Sequence, residues 1–209
     1  MDGMLSQEEI DALTGAAGAA TTTAAPTTMT LTDAERDAVG EIANINMGTA
    51  ATTLSTLLNN KVTITTPKVS YVTINEISAQ YDKPCVFIHI SYIDGISGNN
   101  VLILKEHDVK VITDLMMGGD GSNTEGELTE LHLSAISEAM NQMMGSAATS
   151  LSSMLDKKVD ISPPTASVVD LNDSIDDVTV SNFLSDELVQ VSFTMQIGDL
   201  VDSQIMQLY

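Results

Sequence analysis

Residues 37–67 read DAVGEIANINMGTAATTLSTLLNNKVTITTP, and residues 134–164 read SAISEAMNQMMGSAATSLSSMLDKKVDISPP. Laid over one another at an offset of 97, the two stretches share Glu41/Glu138, Asn44/Asn141, Pro67/Pro164, and Asp37 against Ser134. Gly48, Ala50, Ala51, Thr52, Leu54, Ser55, Leu58, Lys61, Val62 and Ile64 recur at the same offset as Gly145, Ala147, Ala148, Thr149, Leu151, Ser152, Leu155, Lys158, Val159 and Ile161. A register kept across a helix, a turn and a strand marks an internal duplication, and repeats are sought before any other feature is assigned.

The spacing has a consequence in space. Positions i, i+4 and i+7 share one face of an α-helix, so Asp37, Glu41 and Asn44 fall within an arc of roughly 60°. The apolar residues Val39, Ala43, Ala50, Leu54, Leu57 and Leu58 recur every three to four residues on another side. In the second copy Ile136, Met140, Met143, Ala147, Leu151, Met154 and Leu155 form the apolar side, opposite Ser134, Glu138 and Asn141. Exposed polar residues are the rule on helices. Packing preserves the apolar stripe of a duplicated helix, but it gives no reason to keep an outward Glu and Asn in both copies.

The pattern [D/S]-x3-E-x2-N-x22-P, present twice in full, resembles the signature of the CheC/CheX/FliY family of chemotaxis phosphatases, over roughly residues 30–209. The resemblance implies a phosphatase that removes the aspartyl phosphate of the response regulator CheY at the flagellar switch. It further implies that Asn44 and Asn141 orient the attacking water, that Glu41 and Glu138 pair with the regulator's active-site lysine, and that Asp37 and Ser134 support them. Pro67 and Pro164 are expected to shape the turn after each strand. The Mg2+ needed would belong to the regulator, and no cofactor of the chain's own is expected. A reading of a different class stays open: a non-catalytic module of the rotor that binds phosphorylated CheY.

Before the first repeat, residues 1–14 and a linker at 15–30 stand apart. Ser6 and Glu9 have capping-box spacing, and Leu5 and Ile10 that of a hydrophobic staple. The helix they open, about Gln7 to Leu13, is too short to persist alone, and it leads into a Gly/Ala/Thr-rich stretch. Such a tethered helix suits folding on a partner, and accidental capping in a disordered leader fits the residues equally. The segment is similar to the leader with which flagellar switch proteins capture phosphorylated CheY, which implies binding through Leu5, Ser6, Glu8, Glu9, Ile10, Asp11 and Leu13. The same resemblance implies contact with FliM, FliG and FliN-type proteins, a place at the cytoplasmic face of the basal body in the C-ring, and a further rotor-docking domain that no stretch here matches.

Composition narrows the remaining classes. The chain has 209 residues, 43% of them hydrophobic, enough for one sizeable core or two fused by duplication. Its charge of −21 and its lack of Trp argue against a phosphate-backbone partner, so nucleic acid is not expected. One Cys, no basic and apolar leader, and no run near 18 apolar residues lead to the expectation of a cytosolic protein without membrane insertion. His89, His107 and His132 are scattered without metal-ligand spacing, and neither a G-x-S-x-G elbow nor a Walker motif is present. The segment from Asp120 misses calcium-loop spacing and is expected to be a surface turn. Met140, Met143, Met144 and Met154 are read as a plastic core rather than a binding face.

The expected fold is α+β: a pseudo-twofold duplication, with repeat one at about 31–117 and repeat two at about 127–209. A mostly antiparallel sheet would carry two long motif helices. Capping at Thr32 and Glu35 opens the first of these, and the Asn59-Asn60 pair closes it. Strands are predicted at 61–65, stopped by Pro67, then at 69–74, 85–93 and 101–105, followed by a helix at 106–117. Glu127 leads into the second motif helix, with strands near 159–162, 166–171, 187–197 and 200–208.

Overall fold

A computed structural model describes residues 31–80, 84–170 and 188–209. The leader and linker, and with them the peptide assigned to regulator binding, lie outside the described residues. In chain order the elements are α1 (Asp33–Leu58), β1 (Val62–Val72), α2 (Ile74–Ser78), β2 (Cys85–Asp94), β3 (Gly98–Lys105), α3 (Glu106–Met116), α4 (Glu130–Leu155), β4 (Asp160–Ile161), β5 (Thr165–Val169), β6 (Leu188–Ile197) and β7 (Val201–Leu208). The fold is α+β, and every strand pairing among the described residues is antiparallel.

The duplication is visible in three dimensions. Helices α1 and α4 are 26 residues each and start 97 apart. Strands β2 and β6 start at 85 and 188, and β3 and β7 at 98 and 201, 103 apart in both cases. The sheet order β1-β6-β7-β3-β2, with β4 and β5 beyond β2, is therefore a palindrome of repeat origins. Its centre is the β3–β7 pairing, where Ile103 faces Met206, its own counterpart at the offset of 103. The first strand of each repeat is exchanged. Repeat one's β1 pairs with repeat two's β6 (Val72 opposite Leu188), and repeat two's β5 pairs with repeat one's β2 (Val169 opposite Cys85).

Local chemistry fixes each helix-to-strand corner twice over. Asn59 and Asp156 adopt the left-handed conformation at φ 48° and 47° and end the helices, a conformation that short polar side chains tolerate. The next backbone N–H closes on the carbonyl five residues earlier, Asn60 to Ser55 at 3.3 Å and Lys157 to Ser152 at 3.1 Å. Ser55 Oγ then accepts the Val62 N–H at 2.9 Å while donating to the Ala51 carbonyl at 2.7 Å. Ser152 does the same for Val159 at 2.9 Å and Ala148 at 2.8 Å. The last helical turn is thus stitched to the start of the strand segment that follows, at Val62 in one copy and at Val159, just before β4, in the other. Each corner also receives the other repeat's hairpin turn: Gly198 donates its N–H to the Lys61 carbonyl at 2.9 Å, and a Cβ on Gly95 would lie 1.9 Å from the Lys158 carbonyl oxygen.

Two expectations are corrected. Pro67 does not stop a strand. Strand β1 continues to Val72, and its register against β6 shifts between Thr65 and Lys68. Proline has no N–H for the ladder, and on an edge strand a bulge removes the need for one. In repeat two, Pro163-Pro164 interrupts the strand outright and divides β4 from β5. The second difference lies at residues 74–78, where Ile74 opens the short helix α2 instead of ending a strand, with Glu76 accepting the Thr73 N–H at 2.8 Å. Glu127 leads into α4 as expected, and the helix is capped by Thr129, whose N–H donates to His132 Nδ1 at 3.1 Å.

The core lies between the helices and one sheet face. Met47, Ala50, Leu54, Ile136, Met140, Met143 and Ala147 pack with Val86, Ile88, Leu102, Leu104, Val191 and Phe193. On the opposite face a smaller cluster gathers Phe87, Val101, Ile103 and Met206 under Ile74 and Ile77 of α2. Three of the four methionines read as core are buried, and Met154 is exposed. Leu155 is 44% exposed although its counterpart Leu58 is 2% exposed. Leu58 clusters with Ile197 and Val201, whereas the equivalent places in the other hairpin hold Asp94 and Gly98. Helix α3 packs on α4 and ties down the loop before it: Lys110 bonds Glu106 at 2.5 Å and the Gly126 carbonyl, and Asp114 accepts the Gly121 N–H at 2.8 Å. In that loop Asp120 accepts the Ser122 N–H at 3.0 Å, a local turn as expected.

Removing either serine leaves a backbone N–H without its partner, so Ser55→Ala and Ser152→Ala are each expected to lower the unfolding free energy by about 1–2 kcal/mol. Cys85 supplies the measurement. It is fully buried, and burial, followed by the negative charge of Asp170, pushes its thiol up to about 12. Its reaction with a thiol reagent should therefore report unfolding, and should accelerate in both variants.

Candidate functional site

The arc expected from the spacing is present on both long helices. Asp37, Glu41 and Asn44 are exposed on α1, while Ala43, Met47, Ala50 and Leu54 are buried. Ser134, Glu138 and Asn141 are exposed on α4, with Ile136, Met140, Met143 and Ala147 buried. All six motif side chains thus stand on rigid helices whose opposite sides are locked into the core. A cavity of about 350 Å³ lined by Lys68, Ser70, Gln190, Ser192 and Gln204 contains none of them. Pro67 and Pro164 lie in the strand bulge and the strand break.

The motif groups have free valences. Among the described residues, Asp37, Glu41, Asn44, Ser134 and Asn141 have no side-chain hydrogen bond. Arg36, next to Asp37 in sequence, is engaged elsewhere: it pairs with Asp33 at 3.9 Å and lies over the Tyr71 ring at 5.8 Å. Glu138 differs from Glu41, because Gln142 donates to its carboxylate at 2.8 Å. The corresponding residue in repeat one is Ile45, 43% exposed. Sequence reasoning passed over Gln142, although a Glu followed four residues later by Gln is a pair that meets on a helix.

The chemistry these groups offer is limited and definite. A carboxylate only accepts hydrogen bonds, whereas a carboxamide both donates and accepts. No group of three or more His, Cys, Asp or Glu side chains comes together among the described residues. The faces can orient a water and engage a cation on another molecule. They are convex helix surfaces, so the reacting centre must be brought to them.

A sequence profile of the CheC-like family matches residues 35–71 and 131–168, the helix and first strand of each repeat. The X-ray structure of Thermotoga maritima FliY superposes with a TM-score of 0.77 at 42% identity, covering 86% of this chain and 91% of that one. The chain belongs to the CheC-like family. Within the family it is also 49% identical over 207 residues to the flagellar motor switch phosphatase FliY of Bacillus subtilis strain 168, covering 98% of this chain. The chain spans about half the length of that curated relative, 54%. A chain from the H. pylori FliG–FliM complex has the same fold at 16% identity, with a TM-score of 0.67 over 86% of this chain and 94% of that one. No helix among the described residues is long and apolar enough to cross a membrane.

Because the Asn44 and Asn141 side chains are exposed and make no hydrogen bond among the described residues, the fold should not need them. Asn44→Ala and Asn141→Ala are each expected to change the unfolding free energy by no more than about 0.5 kcal/mol, the usual range for surface substitutions without partners. Denaturant titration of the two variants beside the parent chain measures this.

Proposed function

We propose that the chain hydrolyses the aspartyl phosphate of the response regulator CheY, as part of the flagellar switch. The observation that carries this reading is the second copy: an exposed, unbonded Asn beside an exposed Glu, in register on two helices that the core holds rigid. The family membership and the name of the Bacillus relative support the same activity.

The mechanism follows from what a phosphoaspartate requires. It is an activated acyl phosphate, and the regulator brings its own Mg2+ and lysine, so a helper need only hold a water in line with phosphorus. Asn44 and Asn141 take that role: the amide accepts from the water and donates to a neighbouring oxygen, aiming the nucleophile without titrating. Glu41 and Glu138 meet the regulator's lysine and set the docking register. A carboxylate on a helix face suits that task because the pair becomes desolvated only on docking. Asp37 and Ser134, one turn earlier, add contacts at the rim.

The N-terminal leader is proposed to capture phosphorylated CheY through Leu5, Ser6, Glu8, Glu9, Ile10, Asp11 and Leu13, raising its local concentration near the helices. In this reading the chain works at the cytoplasmic face of the basal body, in contact with FliM, FliG and FliN-type partners.

Two tests separate catalysis from capture. Asn44→Ala with Asn141→Ala should return the decay of phosphorylated CheY to the regulator's own rate, read after removing the phosphate donor. Unchanged acceleration would reject the assignment and leave a binding module. Deleting residues 1–15 should raise KM and leave kcat in place, whereas an equal loss at saturating substrate would contradict the division of labour.

A further inference from the structure

Gly48 and Gly145 recur at the offset of 97, in the interior of α1 and α4. Glycine there is unfavourable relative to alanine, because it loses more backbone freedom on folding. Packing does not call for it. A Cβ on either residue would meet no described atom within 4 Å outside the helix's own backbone, and neither has positive φ. Gly40 provides the contrast. Its Cβ would touch Val69 Cγ2 at 3.5 Å, yet its counterpart in repeat two is Ser137. The helix glycine with a packing neighbour occurs once, and the one without a neighbour occurs twice.

Their position on the helix is informative. At 100° per residue, with Glu41 taken as zero, Asp37 lies at about −40°, Asn44 at about −60° and Gly48 at about −20°. Gly48 is thus inside the motif arc, one turn beyond Asn44, and Gly145 is placed likewise beyond Asn141. Gly48 is exposed and Gly145 half-buried, and the glycine carbonyl is bonded in the same way in both copies. Thr52 donates its hydroxyl to the Gly48 carbonyl at 3.2 Å, and Thr149 to the Gly145 carbonyl at 2.9 Å. Each motif face therefore continues into a strip of bare, well-bonded helix.

We propose that Gly48 and Gly145 are positioning residues that let the phosphorylated receiver domain seat directly on helix backbone beside Asn44 and Asn141. The inference rests on the phosphatase reading given above and adds the contact that this reading lacks. An asparagine amide is attached one bond beyond Cβ. To put a water in line with a phosphoryl group held inside another protein, the helix itself must come close, and a side chain at the next turn would hold the two surfaces apart. A misplacement of about 1 Å is enough to cost a hundredfold in rate.

The test uses the full chain with Gly→Ala and Gly→Leu at both positions. Alanine and leucine are better helix formers than glycine, so melting temperature should hold or rise in both variants. The value of kcat/KM for phosphorylated CheY should fall at least tenfold with alanine and further with leucine, while capture of beryllofluoride-loaded CheY by the leader persists. Stability and activity then move in opposite directions, which a purely structural glycine cannot produce. Alanine variants as active as the parent would overturn the proposal and leave the phosphatase reading standing. A loss of activity matched by a lowered melting temperature would also overturn it. If the parent chain itself fails to accelerate decay, both readings fall together.

Discussion

The arrangement depends on the exchange of first strands between the repeats. Strand β1 completes the sheet of repeat two, and β5 that of repeat one, about the Ile103–Met206 pair at the centre. Neither repeat closes its sheet alone, so the two form one cooperative unit rather than two tethered domains. The exchange also sets the helices. Each first strand leaves its helix through a serine-stitched corner, so fixing the strand in the other repeat's sheet fixes the helix above it. Both motif faces are consequently held by the same restraint.

This construction explains how an exposed site keeps its geometry. Functional groups on loops depend on the loop, whereas groups on a helix inherit the rigidity of the packed face behind them. Met47 and Met143 lie in the core behind the two motif faces, at 2% and 0% exposure. The two faces are nevertheless unequal in detail. Gln142 holds Glu138 in one, and Ile45 offers an apolar surface in the other. Departures from symmetry occur where the sequences differ, as with Leu155, which lacks the apolar hairpin that covers Leu58.

Much of this was legible in the residues. The offset of 97 gave the duplication, and the i, i+4, i+7 spacing put the motif groups on the faces where they stand. The Asn59-Asn60 pair marked the end of α1. Sequence could not reveal the exchange of strands, because pairing partners far apart in the chain leave no local signal. It also misjudged Pro67, since a proline ends a strand or bulges it depending on whether that strand lies at an edge, which only topology decides. The site was legible as positions and not as valences: that Glu138 is bonded and Glu41 is not emerged only with side chains in place.

The central claim is that both helix faces receive the phosphorylated regulator. Photo-crosslinkers placed at Ile45 and Gln142, which border the two faces without belonging to the motif, test it most directly when mixed with beryllofluoride-loaded CheY. The account predicts capture from both positions, mapping to the regulator's phosphorylation site and lost when beryllofluoride is withheld. Capture from neither position, with the regulator still bound through the leader, would contradict it.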